Sequence, residues 1–341
     1  NDKEIIKKKL IIFINILIKK KILVTGAAGF IGYSISEYLL KKKNIQIIGI
    51  DNFSNYSGKD IKKLRIKILK KYQNFKFYKI DIKNKSKVDK LISKFHFTYV
   101  IHLAAEVGVR YSIIRPDKYI ESNIKGFFNI VESLKMKQPE KFLFASSSSV
   151  YGDSKIFPLN ENQNLNPKNI YALSKKNNEE LAKIYSSNYS TQFLALRFFT
   201  VFGELGRPDM FFYKSLNSIF NNKKLYLNNS GDHYRDFTYI KDVVKIIDKL
   251  IFTKLKKPFY SLNICSSKPI YLKNFLKIIE KFSKKINLVN VPAHPADVYK
   301  THGSNKKLIS LVKKIKFTKI EKAVKNSVKS YKKHKIFNQN N

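Results

Sequence analysis

Lys21-Ile22-Leu23-Val24-Thr25 runs directly into Gly26-Ala27-Ala28-Gly29-Phe30-Ile31-Gly32, and these residues decide the fold. The first five form a short apolar run of strand length, and behind the glycines Ile31, Ile35 and Leu39 recur every four residues, the period of a helix that buries one stripe. Strand, glycine turn and helix in that order make a cradle for phosphate. Gly26 allows the tight turn, Gly29 lets backbone approach a pyrophosphate, and Gly32 lets the helix pack close, with Phe30 and Ile31 at the helix start between them.

Outward from this core, the apolar run Ile45 to Ile50 ends at Asp51, 19 residues beyond Gly32. An acidic side chain there would accept both ribose hydroxyls of an adenosine and repel a 2′-phosphate, which favours NAD over NADP. The same residue read alone caps a turn with Asn52. Further runs predict strands near Phe75 to Ile80, Thr98 to Leu103 and Lys141 to Ser146, with helices between them. Strands alternating with helices imply an α/β fold, a doubly wound parallel sheet.

The composition sets the outer limits. With 341 residues, of which 43% are hydrophobic and 13% aromatic, the chain can build one large or two modest cores, so global disorder is excluded. A single cysteine, Cys265, cannot form an internal disulfide, and six histidines with no second thiol give no structural zinc pattern; a reducing cytoplasm and no metal are expected. The net charge of +42 invites a nucleic-acid reading, but only six basic residues are arginine. Arginine is expected where phosphate or bases are read bidentately. A diffuse lysine coat therefore reads as compositional drift, with weak polyanion attraction as the alternative and no specific nucleic acid as partner. Leu10 to Ile18 is apolar except for Asn15, yet spans nine residues where a membrane-crossing helix needs roughly 20. It reads as an extension ahead of a domain beginning near Lys21, with a peripheral basic anchor as the minority alternative.

Tyr171 and Lys175 stand four apart in Tyr-Ala-Leu-Ser-Lys, on a stretch that reads as helix after Pro167 and Asn169, so phenol and ammonium share one helical face. A phenol with a pKa near 10 becomes a usable base only beside a cation. The run Ala145-Ser146-Ser147-Ser148-Ser149-Val150-Tyr151-Gly152 follows a predicted strand, at the edge of an open sheet where ligands bind. A serine there can hydrogen-bond a substrate hydroxyl and hold it toward Tyr171.

Gly26 to Gly32, His102-Leu103-Ala104-Ala105, the Ser147 region and the Tyr171/Lys175 pair together resemble the extended short-chain dehydrogenase/reductase family of nucleotide-sugar enzymes. Gly108-Val109-Arg110-Tyr111-Ser112, Ser146 to Gly152, Leu196 to Gly203 with Gly206-Arg207-Pro208-Asp209-Met210, and Arg235 to Ile240 with Asp242 resemble the UDP-glucuronate 4-epimerases more narrowly. The similarity runs from about Lys21 to the region of Lys333.

The resemblance implies a Rossmann-type domain over 20–199 and about 237–265, and a smaller α/β nucleotide-sugar domain over about 200–236 and 266–335, with 1–19 and 336–341 as extensions. It implies Ser147, Tyr171 and Lys175 as the catalytic triad. It places Asp51, Asn52, Asp81, Ile82, Leu103, Ala104, Ala105, Asn123 and Phe199 around NAD with the glycine loop, Tyr171 and Lys175. Ser147, Ser148, Ser149, Thr200, Arg207, Arg235 and Asp297 would hold the UDP-sugar. Dehydratases of the family carry Asp-Glu where this chain has Ser148-Ser149, and decarboxylases carry Glu at Ser149; neither carboxylate is present, as suits an epimerase. UDP-glucose or a UDP-N-acetylhexosamine is the alternative substrate, and a lysine-rich polyanion-binding protein on the same fold is the alternative of another class. The amphipathic segments Asp117 to Met136 and Tyr171 to Tyr189 would pair with a second subunit as a homodimer, although packing within one chain explains their stripes equally. Against the family pattern, Glu106 replaces a Gln, Glu204 a Pro, Cys265 and Ala296 a Gly, and Ser174 a Thr.

Overall fold

A computed structural model describes residues 20–56, 58–293 and 298–334. The expectations for 1–19, Ala296, Asp297 and 336–341 fall outside these residues. Strand β1 (Lys20–Thr25) leads through the glycine turn into α1 (Phe30–Leu40), followed by β2 (Ile45–Asp51), α2 (Lys59–Leu69), β3 (Phe75–Lys79), α3 (Lys85–Ile92) and β4 (Tyr99–His102). Next come α4 (Val109–Ile114), α5 (Pro116–Tyr119), a π-helical turn (Ile120–Lys125), α6 (Gly126–Ser133), β5 (Lys141–Ser147), a 3₁₀ turn (Ser148–Tyr151), α7 (Ile170–Asn188) and β6 (Gln192–Phe198).

Six of these strands and β10 (Phe259–Ile264) form one seven-stranded sheet, order β10-β6-β5-β4-β1-β2-β3, with every pairing parallel. A parallel sheet must be covered on both faces, and the side-chain alternation supplies two cores. Ile22, Val24, Ile101, Leu143 and Leu194 point into one. Leu23, Val100, Phe142, Phe144 and Phe193 point into the other. The order reverses between β1 and β4, which leaves a crevice at their carboxyl ends.

The remaining strands make two small sheets. β7 (Thr200–Phe202) pairs parallel with β9 (Tyr234–Tyr239), which pairs antiparallel with β11 (Pro269–Tyr271). β8 (Leu225–Asn228) pairs parallel with β12 (Leu288–Val291). Helices α8 (Phe211–Phe220), α9 (Ile240–Phe252), α10 (Leu272–Phe282), α11 (Lys306–Val312) and α12 (Ile320–His334) complete the chain. No helix among the described residues is long and apolar enough to cross a membrane.

One predicted element differs. The stretch from Asp117 to Met136, read as a single amphipathic helix, is interrupted by the π-helical turn. The wider turn frees the main-chain carbonyl of Asn123, and Asn178 on α7 donates its side-chain N–H to it at 3.0 Å. The serine run is likewise no open loop. Ser147 caps the 3₁₀ turn by accepting the Ser149 N–H at 3.1 Å.

Candidate active site

A cavity of about 960 Å³ lies at the carboxyl edge of the large sheet and reaches across to β8 and β9. One end is the glycine loop. Gly26 has φ +69°, and a side chain there would place Cβ 2.7 Å from the Ala104 nitrogen; at Gly32, Cβ would lie 2.1 Å from the Gly26 carbonyl oxygen. The loop is therefore folded against its neighbours as only glycine permits. Gly29 stands at the N-cap of α1 with no side-chain cap, and Gly29, Phe30, Ile31 and Gly32 line the cavity. The unsatisfied amides of an eleven-residue helix thus face a space that an anionic pyrophosphate fits.

Asp51 ends β2 beside that loop, 6% exposed. Its carboxylate accepts the Ala28 N–H at 3.1 Å and the Phe53 N–H at 2.8 Å, so it both fixes the glycine loop and caps the following turn. Asn52 and Ile82 line the cavity nearby, while Asp81 lies behind Asn52, accepting its side-chain amide at 3.1 Å. Leu103, Ala104 and Ala105 form the opposite wall. The Thr25 hydroxyl accepts the Leu103 and Ala104 N–H groups, each at 3.1 Å, and lies 2.9 Å from His102 Nδ1. Burial, with the charge of Lys175, pushes the His102 pKa down to about 3, so the ring is a neutral packing group between Phe127 and Phe142.

Ser147, Tyr171 and Lys175 meet further along the cavity. Asn169 caps α7 by accepting the Ala172 N–H at 2.9 Å, which starts the helix two residues before Tyr171. The Ser147 hydroxyl donates to Ser149 Oγ at 3.0 Å. Burial raises the Tyr171 pKa, and the hydrogen bond with Ser147 and the charge of Arg207 pull it back. Burial lowers that of Lys175 to about 8, its ammonium 5.9 Å from the Tyr171 ring centre. Arg207, which the resemblance places near the substrate, is a second cation whose charge reaches the phenol.

Asn123 lies behind the cavity wall. Its side chain accepts the Glu106 N–H at 2.8 Å and donates to the Glu106 carbonyl at 3.1 Å and to Ser174 Oγ at 3.0 Å, tying the β4 loop to the Tyr171 helix. Ser174, at a position where the resemblance leads one to expect threonine, has the hydroxyl this contact uses. Phe199 packs against Cys265 and Gly303, where a Cβ would come within 2.5 Å of its ring. Ser148, Ser149, Thr200, Arg207 and Arg235 all line the far half, and Arg207 is held by a bidentate pair with Asp209 at 3.0 and 2.5 Å. Eight cationic side chains, Lys62, Arg110, Lys175, Arg207, Lys214, Lys223, Lys224 and Arg235, face the cavity against three acidic ones, Asp51, Glu106 and Asp209, so the space suits an anionic ligand. Among the described residues no group of His, Cys, Asp and Glu is arranged to hold a metal.

Sequence reasoning missed several supports. Glu179, 0% exposed, receives Arg197 at 3.0 and 2.7 Å and Ser146 Oγ at 2.5 Å, directly behind Ser147. Arg197 also donates to the Tyr151 hydroxyl at 2.8 Å. Arg65 and Lys62 on α2 reach the glycine loop and Asp51 regions; only their helical spacing, three apart, hinted that they share a face.

Comparison with known proteins places the site in context. The model of the NAD dependent epimerase/dehydratase family matches residues 22–265. A UDP-glucuronate 4-epimerase of Thermodesulfobacterium geofontis is 35% identical over 310 residues, covering 90% of this chain and 94% of its own. The structure of the UDP-glucuronic acid 4-epimerase from Bacillus cereus in complex with UDP-glucuronic acid and NAD superimposes with a TM-score of 0.86 at 29% identity, covering 92% of this chain and 99% of that one. The UDP-N-acetylglucosamine 4-epimerase of Methanobrevibacter ruminantium superimposes with a TM-score of 0.83 at 26% identity, covering 93% and 99%.

Proposed function

The chain belongs to the NAD dependent epimerase/dehydratase family, as an NAD-dependent nucleotide-sugar epimerase, and from that premise we propose that it inverts carbon 4 of UDP-glucuronate to give UDP-galacturonate. The observation that carries the reading is the Ser147–Tyr171 pair at the junction of the glycine-loop half and the cationic half of one cavity, with the hydroxyl residues Ser148, Ser149 and Thr200, and no carboxylate at those positions, lining it nearby.

Gly26, Gly29, Phe30, Ile31 and Gly32 would hold the pyrophosphate of NAD, Asp51 and Asn52 its adenosine ribose, Asp81 and Ile82 its adenine side, and Leu103, Ala104, Ala105, Lys175 and Phe199 the rest. When bound, NAD supplies the acceptor and later the donor of hydride at sugar carbon 4. Tyr171 takes the proton of the 4-hydroxyl, and the charges of Lys175 and Arg207 favour the phenolate at that moment. Ser147 orients the same hydroxyl. The 4-keto sugar turns about its bonds to the pyrophosphate, presents its other face, and receives the proton back from Tyr171. Arg235, with Asp297, would hold the UDP portion while the sugar turns. A 4-keto sugar with a carboxylate on carbon 5 is a β-keto acid that loses carbon dioxide when aligned for it. Ser148, Ser149 and Thr200, which line the cavity, would fix the carboxylate out of that alignment.

The division at about 200, 237 and 266 between a cofactor part and a sugar part belongs to the same proposal, as does a homodimer. Ile113, Ile114, Ile120, Phe128, Leu173 and Ile184 are all exposed on the α4 to α7 segment, and one copy leaves them in water. Replacing Ile184 by Glu and finding an unchanged molecular mass by light scattering would rule that face out. For the reaction, purified protein should carry NAD and convert UDP-glucuronate to UDP-galacturonate; turnover of UDP-glucose or UDP-N-acetylglucosamine in its place would reassign the substrate.

A further inference from the structure

Arg65 is 0% exposed, and no carboxylate among the described residues forms an ion pair with it. Its guanidinium is spent on main-chain carbonyls from two distant parts of the chain. Nη1 donates to Ala28 in the glycine loop at 2.9 Å; Nε and Nη2 donate to Leu205 at 3.1 and 2.6 Å; Nη2 also donates to Gly206 at 2.8 Å. Burying a guanidinium without a counterion is unfavourable unless its N–H fork is filled, and here four hydrogen bonds fill it.

Both ends of this bridge lead to the site. Ala28 donates its own N–H to Asp51. Leu205 has φ +49°, a left-handed conformation that is unfavourable for a non-glycine residue and needs its surroundings to hold it. The next residues are Gly206 and Arg207, the cation that faces Tyr171. A lysine carries its donors on one atom, without a planar fork, and would not span carbonyls from both parts of the chain as the guanidinium does.

We propose that Arg65 is a positioning residue that ties the glycine loop to the strained turn at Leu205–Gly206 and thereby aims Arg207 at the sugar. The inference rests on Arg207 meeting the substrate, as set out above. It also gives a reason for an arginine at this position in a chain otherwise coated with lysine.

The test is a double-mutant cycle on the holoenzyme with R65K, R207K and the double variant, measuring KM and kcat for the UDP-sugar, bound NAD and melting temperature. R65K should raise KM roughly tenfold, as a remote displacement of a binding group does, with NAD content retained. If Arg65 acts through Arg207, the double variant has the KM of R207K alone. G206A attacks the same turn with Arg65 intact, because its Cβ would sit 2.4 Å from the Tyr213 ring, and should raise KM in the same way if R65K does not fold. An unchanged KM in R65K and G206A, or effects that multiply with R207K, would overturn the proposal. An unchanged KM in R207K would instead remove the substrate role of Arg207, and the proposal with it.

Discussion

The buried pair beneath Ser147 gives a prediction whose size follows from its bonds. Glu179 accepts three hydrogen bonds, two from Arg197 and one from Ser146, with no water-facing surface. Glu179→Gln keeps the shape but removes the charge and turns an N–H₂ toward guanidinium donors. Burial alone would depress the Arg197 pKa, and the bonds and charge of Glu179, with a smaller part from Tyr151, reverse that. Stripped of them, the buried cation is uncompensated, which costs about 3–5 kcal/mol. Replacing both partners, Glu179→Leu with Arg197→Met, removes both charges, and Tyr151 keeps its bond to Asn263 at 2.7 Å. That double variant should be roughly 2 kcal/mol more stable than E179Q, because desolvation is no longer unpaid. Urea unfolding at fixed, saturating NAD measures both. A double variant as unstable as the sum of the two single changes would refute the reasoning.

Tyr171→Phe should lower turnover roughly 10²–10⁴-fold while NAD remains bound, read from progress curves and from cofactor released on denaturation. Ser149→Ala or Thr200→Ala should yield a UDP-pentose by-product detectable by mass spectrometry, and its absence in both would count against carboxylate restraint. Gly32→Ala drives a Cβ into the Gly26 carbonyl and should cost about 1–3 kcal/mol and empty the cofactor site, seen as lost absorbance of the released nucleotide. His102 is held neutral in the fold with a pKa near 3, below its unfolded value, so its contribution is full above about pH 6.5 and is lost as pH falls. Between pH 7 and pH 5 that loss is about 2 kcal/mol, and H102N should show a correspondingly flatter acid limb in unfolding free energy.

The sequence by itself determined what local physics writes. Strand, glycine turn and helix follow from residue periodicity and backbone freedom within twelve neighbouring positions, and the Tyr171/Lys175 pairing follows from helical pitch. The serines, Asp51 and the predicted strands carried the same signal, each a short segment whose own pattern specifies it. Tertiary structure decided what depends on chains that meet from far apart. Arg65 lies about 140 positions from the carbonyls it holds, and no periodicity in α2 distinguishes a buried fork from one more solvated cation. Asn123 lies in a segment whose hydropathy repeats at nearly helical spacing through the π turn, and Asn178, Glu106 and Ser174 opposite it give the extra residue its use. Arg207 comes to the same phenol as Lys175 from a distant part of the chain, and no local spacing announces it. Electrostatics acts through space in a medium from which water is excluded, and that distance is set by the fold.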